Sequence, residues 1–154
     1  MLAVRRLLAV LALAVVVAAV AAAPAGAQTA TKCTAFAVLK PGNEVPPSTS
    51  RASGATLMRI DGTRLSFTTI IANPGRESFF AGHIHTGAAG VNGPVLITLF
   101  SGSTDRRLFT QFESIEITEQ QATTVCGNLA GHYVNYHTTD FPGGAIRGQL
   151  TSLF

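Results

Sequence analysis

The stretch 54-GATLMRI-60, Asp61-Gly62, 63-TRLSFTTIIA-72 decides the fold class. Two runs rich in apolar and β-branched residues flank an Asp-Gly pair, the strongest short hairpin signal a sequence offers. Asn73-Pro74-Gly75 closes the second run. The same grammar extends in both directions. Upstream, 33-CTAFAVLK-40 alternates small or polar with apolar residues and stops at Pro41-Gly42-Asn43, and 45-VPPSTS-50 follows as extended loop or edge, because neither proline can donate to a ladder. Downstream, 79-FFAGHIH-85, 95-VLITLF-100, 106-RRLFTQF-112, 133-YVNYHT-138 and 145-AIRGQL-150 read as strands separated by Gly- and Pro-containing turns. One segment departs from this pattern. In 118-TEQQATTVCGNLAG-131, Thr118 and Gln121 have the spacing of a capping box, and Gly127 stands where a helix end favours a left-handed residue. This predicts one short helix over 119–126. Seven or eight short strands and one helix indicate an all-β, antiparallel Greek-key or immunoglobulin-like sandwich, or a barrel.

The first 27 residues belong to a different regime. Arg5-Arg6 precedes an apolar run from Leu7 to Ala23, then Pro24 and Ala25-Gly26-Ala27, the layout of a secretory signal peptide cleaved after Ala27. An uncleaved anchor is the rival, but the run is short and mostly Ala and Val. The expected organisation is a signal peptide over 1–27 and one domain over 28–154, secreted or held in the cell envelope, with no membrane span once mature. Of 11 basic residues against 8 acidic, two leave with the leader, so the formal charge falls from +3 to +1. No basic patch remains to bind nucleic acid or anionic lipid. The two cysteines, Cys33 and Cys126, lack Cys-x-x-Cys spacing, and in an exported chain they read as a disulfide.

Function turns on 81-AGHIHTGAAGVNGPV-95. Side chains alternate along a strand, so His83 and His85 share a face opposite Ile84. If Ile84 faces the core, both imidazoles stand on the outer face. The later hairpin puts Val134 and Tyr136 on one face and Tyr133, Asn135 and His137 on the other. His83, His85 and His137 are thus predicted off the core, and a local bend at Gly82 would let them share a copper or zinc ion. Ligands bonded at about 2.0–2.1 Å lie within about 4 Å of one another. Rings that point apart, or that are each satisfied by a backbone carbonyl, favour the other reading, in which they only hold the shape of a glycine-rich loop. Other chemistries find less support: there is no Gly-x-Ser-x-Gly elbow or phosphate-cradling motif. Glu113, Glu116 and Glu119 read as a solvated edge.

The segments 42-GNEVPP-47, 83-HIHTGAAGVNGPV-95 and 127-GNLAGHYVNYHTTDFPGGAIRGQL-150 resemble, in order, those of the CHRD domain, a module repeated in chordin and found singly in secreted bacterial proteins. The resemblance implies a β-sandwich or barrel but little about activity. It departs in Gly131-His132, in Ala145 where an acidic residue is common, and in the two cysteines, which lie outside the general pattern. A looser similarity is to copper-zinc superoxide dismutases, whose His-x-His and later copper-ligating His match His83, His85 and His137 in type and order. Residues 86–131 contain no histidine, so a zinc-bridged site is not expected, whereas a copper-only site remains open. The first functional expectation is a non-enzymatic binding or structural module for an extracellular protein or surface component. It would act through the 86–94 loop and the 138–145 turn, with Thr86, Gly87, Asn92, Gly93, Asp140 and Arg147 as candidates. The alternative is a copper-binding protein with weak redox or dismutase activity.

Overall fold

The computed structural model describes residues 31–153; the leader expected over 1–27 lies outside them. The chain forms β1 (Lys32–Leu39), β2 (Ser53–Asp61), β3 (Arg64–Ala72), β4 (Phe79–Thr86), β5 (Val95–Thr104), β6 (Leu108–Glu116), α1 (Glu119–Gly127), β7 (His132–Thr138), β8 (Ile146–Gln149) and β9 (Thr151–Ser152), with short 3-10 turns at Pro41–Asn43 and Leu129–Gly131. The strands make two antiparallel sheets, in orders β6-β3-β2-β1-β9 and β5-β4-β7-β8. Among the described residues the all-β class and the one α-helix are as the sequence predicts, and the alternative of sandwich or barrel resolves to a sandwich.

The hairpin that decides the class forms with Asp61 opposite Arg64, so its two loop residues are Gly62 and Thr63, one step later than the Asp-Gly pair suggests. Gly62 takes φ 63° at the first loop position, the backbone of a II′ turn, whose twist suits the flanking strands. Asp61 instead closes the strand pair and binds Lys32 and Arg59. Between the sheets lies one apolar core, built from Leu39, Ile60, Leu65 and Ile71 of the first sheet and Ile84 and Val134 of the second. The Tyr136 ring enters this core, and its hydroxyl donates to Thr69 or Gln111 at 3.0 and 3.1 Å. Burial pushes that phenol up to about 12.

Strands β5 and β6 run four residues further than the turn signals suggested, to Thr104 and Glu116. Glu113 and Glu116 are accordingly exposed strand residues. The helix begins as read: Thr118 Oγ1 accepts from the Gln121 N–H at 3.1 Å, and Gln121 Oε1 accepts from the Thr118 N–H at 2.8 Å. Its end differs. Gly127 is the last helical residue and is not left-handed; Asn128 caps the helix through its backbone N–H on the Val125 carbonyl, and its side chain accepts from the Gly131 N–H. The helix is pinned where its buried face meets β1, because Cys126 is bonded to Cys33, 93 positions away. Closing a loop of that length stabilises the fold by about 4–5 kcal/mol in the chain-entropy account. Among the described residues no helix is long and apolar enough to cross a membrane.

Candidate metal centre

The two sheets differ on the faces turned away from the core. β2 shows alternating burial, with Leu57 and Arg59 open to solvent. In β7 every residue is buried. The reason is a second layer over the second sheet, made by the 87–94 loop, the 41–48 segment and the 139–145 turn. Ser48 Oγ donates to the Ala145 carbonyl at 2.6 Å, and Asn43 Nδ2 to the Arg147 carbonyl at 3.0 Å. Asn92 Nδ2 donates to the Val45 carbonyl, tying the loop to the 41–48 segment. Polar side chains of β4, β7 and β8 are thereby enclosed away from the apolar core.

His83, His85 and His137 sit in this polar layer. The expectation that they lie off the core and on one face holds, but the outer face is not open: His85 and His137 are each only 8% exposed. The local bend expected near Gly82 is present as breaks in the β4–β5 register between Gly82 and His83 and between Ile84 and His85. One ligand nitrogen from each ring lies within 4.8 Å of the other two. That is wider than a bound set by less than about 1 Å, a distance side-chain rotation can close.

The hydrogen bonds show which nitrogens are committed to backbone. His85 Nδ1 lies 3.0 Å from the Gly93 carbonyl and His137 Nδ1 lies 3.0 Å from the Pro142 carbonyl. A carbonyl only accepts, so both Nδ1 atoms carry the proton and both Nε2 atoms are unprotonated, that of His137 accepting from the His83 Nδ1–H. His137 Nε2 meets His83 Nδ1 at 3.2 Å, and His85 Nε2 is buried with no partner. Carbonyl partners therefore do not decide against shared ligation here. They occupy Nδ1 of His85 and of His137 and fix the tautomer that leaves Nε2 of each unprotonated, the role second-shell partners play at metal sites. Backbone carbonyls rather than carboxylates fill that role in both bonds.

Burial also sets the protonation state. It is the main cause holding His137 down at about 4, with the carbonyl of Pro142 opposing and the neighbouring His83 and His85 adding to the depression. His85 is lowered by burial, against the Gly93 carbonyl and with help from the Arg147 charge. His83 is lowered by burial and by His85. All three rings are neutral near pH 7, the form a metal requires.

Beside the imidazoles runs a stack the sequence did not reveal. Tyr133 lies parallel to His85, with centroids 4.9 Å apart and planes 9° apart. Arg147 covers the Tyr133 ring at 3.3 Å. Its guanidinium donates to Asn92 Oδ1 and to the carbonyls of Ala88 and Val91 at 2.8–3.1 Å. Glu44, from the 42-GNEVPP-47 segment, is buried against Asn135 Nδ2 at 3.4 Å. Desolvation lifts its carboxyl to about 7, against the pull of Arg147 and Asn135. Glu44 Oε1 and Asn135 Oδ1 are buried without partners. Tyr133 and Asn135 could have been found from their shared face with His137 in the alternation of β7.

The other candidates divide. Gly93, Asn92 and Arg147 belong to the layer, and Gly87 anchors the loop through the Gly131 carbonyl at 2.7 Å. A Cβ on Gly93 would collide with the Thr86 carbonyl, so the loop closes only with glycine there. Thr86 and Asp140 are exposed. His132 is buried, bonded to the Asn128 carbonyl and not part of the three-histidine group.

An antiparallel sandwich with three clustered imidazoles on one sheet face defines the class as a small two-sheet β-module. The family model described as CHRD domain matches residues 35–150, and the chain belongs to that family. No curated protein and no solved structure matches the chain.

Proposed function

We propose that this CHRD domain is an exported copper-binding module in which His83 Nδ1, His85 Nε2 and His137 Nε2 hold one ion. The observation that carries the reading is that His85 keeps a buried, unpartnered Nε2, its Nδ1 being committed to the Gly93 carbonyl, in a group of three rings whose ligand atoms lie within 4.8 Å of one another. The donor set is three neutral imidazoles, with neither thiolate nor carboxylate, which suits copper or zinc. Among divalent first-row ions copper binds such donors most tightly. The similarity in histidine order to copper-zinc dismutases points the same way. Bound copper would supply one-electron chemistry; the protein's part is to keep the rings neutral, oriented and shielded. Export is supported by the leader composition and by the disulfide, which suits an oxidising compartment.

The role as a partner-binding module draws support from a separate observation. The 87–94 loop is held rigidly by Arg147, Gln149 and Tyr133, yet presents Val91 at 54% exposure. A pre-ordered loop with an exposed apolar tip loses little entropy on binding.

The test is calorimetric titration of the chain from Gln28 with copper(II), repeated on His85→Ala and His137→Ala. One site per chain, weakened at least about 100-fold by each substitution, is expected. Equal binding by wild type and both variants would remove the copper reading and leave the loop as the functional element.

A further inference from the structure

We propose that Arg147 biases this centre toward monovalent copper. The inference rests on the copper reading above and asks what else acts on an ion held there. Arg147 is 1% exposed. Every acceptor of its guanidinium is neutral: Asn92 Oδ1, the Ala88 and Val91 carbonyls, and the face of Tyr133. The four ion pairs among the described residues are Lys32–Asp61, Arg59–Asp61, Arg64–Glu116 and Arg76–Asp105, all at the surface. Arg147 belongs to none of them. Glu44, whose carboxyl feels the Arg147 charge, is hydrogen-bonded to Asn135 rather than to the guanidinium.

The position of this cation matters as much as its isolation. β7 lies between β4 and β8, so His85 and Arg147 reach Tyr133 from opposite sides. The guanidinium is 3.3 Å from the Tyr133 centroid and the imidazole 4.9 Å from it, in one column. The three nitrogen donors bring no negative charge. An ion between them therefore meets a fixed positive charge through protein rather than water, with no ligand anion to offset it. One extra unit of metal charge at about 10 Å, in an effective dielectric of about 20, is disfavoured roughly ten-fold by that guanidinium. Salt screens such a buried pair weakly. The ligand count acts in the same direction, because divalent copper favours a tetragonal set and three nitrogens leave it incomplete.

The experiment compares the affinities of the two oxidation states. The chain from Gln28 is titrated with copper(I) against bicinchoninate without oxygen, and with copper(II) against nitrilotriacetate, as wild type, Arg147→Gln and Arg147→Lys. The wild type is expected to bind copper(I) more tightly. Arg147→Gln should move the ratio of the two affinities about ten-fold toward copper(II), and Arg147→Lys should retain most of the wild-type ratio. A purely structural role would weaken both ions together and leave the ratio unchanged, which overturns the inference alone. Tighter binding of copper(II) by the wild type also overturns it, and this comparison decides even if Arg147→Gln fails to fold. Binding of neither ion overturns the copper reading and this inference with it.

Discussion

The outer faces of the two sheets have opposite fates, although both are built from antiparallel strands over the same core. On the first sheet the face is open: Leu57, Ile70 and Phe112 are exposed beside charged and hydroxyl residues. On the second it is closed by three loop segments, and His85, His137, Asn135 and Arg147 are buried beneath them. The first face contributes strand pairing. The second contributes a polar interior, where each charge and orphaned lone pair has a large energetic effect. Function is expected on the closed face because there the groups are held in place by burial and by backbone partners.

The sharpest contrast comes from matched substitutions on the two faces. Arg147→Ala removes a buried side chain, leaves three acceptors without their donor and opens space beside Tyr133. It should lower unfolding free energy by about 4 kcal/mol in urea denaturation. A loss below about 1 kcal/mol would mean that the loop re-forms without its clasp. The corresponding change on the open face is the smallest effect expected, and closes the series below.

Between these lie two pH effects of opposite sign. His137 titrates at about 4 in the folded chain and near 6.5 when unfolded, so between those values the unfolded state takes up a proton that the folded state refuses. Stability is thus lost as pH falls from 6.5 toward 4, by up to about 3 kcal/mol from this residue. Denaturation of wild type and His137→Asn across that range should show the wild type losing ground to the variant. Parallel curves would contradict the buried neutral imidazole. Glu44 behaves inversely. Its folded carboxyl holds a proton to about 7 against 4.5 in the unfolded chain, so it loses stability as pH rises through that window. Glu44→Gln, neutral throughout, should gain on the wild type between pH 4.5 and 8 by an amount on the order of 2–3 kcal/mol. A difference independent of pH would show that Glu44 is ionised and solvated.

Last comes Leu57→Thr on the open face. With Leu57 48% exposed, the change should stay within about 0.5 kcal/mol by thermal denaturation. A larger loss would mean that the first face is covered in solution and that the contrast between the faces is false.

How much of this was legible depended on which face a residue occupies. The 54–72 hairpin, the capping box at Thr118, the disulfide and the shared face of His83 and His85 follow from local rules, and all are present. Polarity in a strand is read as exposure, and on the first sheet that rule holds apart from Thr56 and Thr69, which are buried with their hydroxyls bonded to each other at 2.8 Å. It fails in β7, where Tyr133, Asn135 and His137 are polar-faced yet buried, because the loops covering them come from residues 41–48 and 87–94. No period within 133–138 reports such distant chain. Glu44 was hidden for the same reason, lying in a Pro-rich segment that reads as loop. Gly127 was misread because the chain leaves the helix at Asn128, whose backbone N–H bonds the Val125 carbonyl and whose side chain starts the 129–131 turn by accepting from the Gly131 N–H. A glycine past a helix is only one of several ways to stop it.

The most direct test of the central claim is a crystal structure of the copper-loaded protein with anomalous data collected at the copper edge. The account predicts one peak per chain, bonded to His83 Nδ1, His85 Nε2 and His137 Nε2, with the Nδ1 atoms of His85 and His137 still on the Gly93 and Pro142 carbonyls. A peak elsewhere, with the contact between His83 and His137 intact, would contradict it and leave the three histidines as the clasp of a loop.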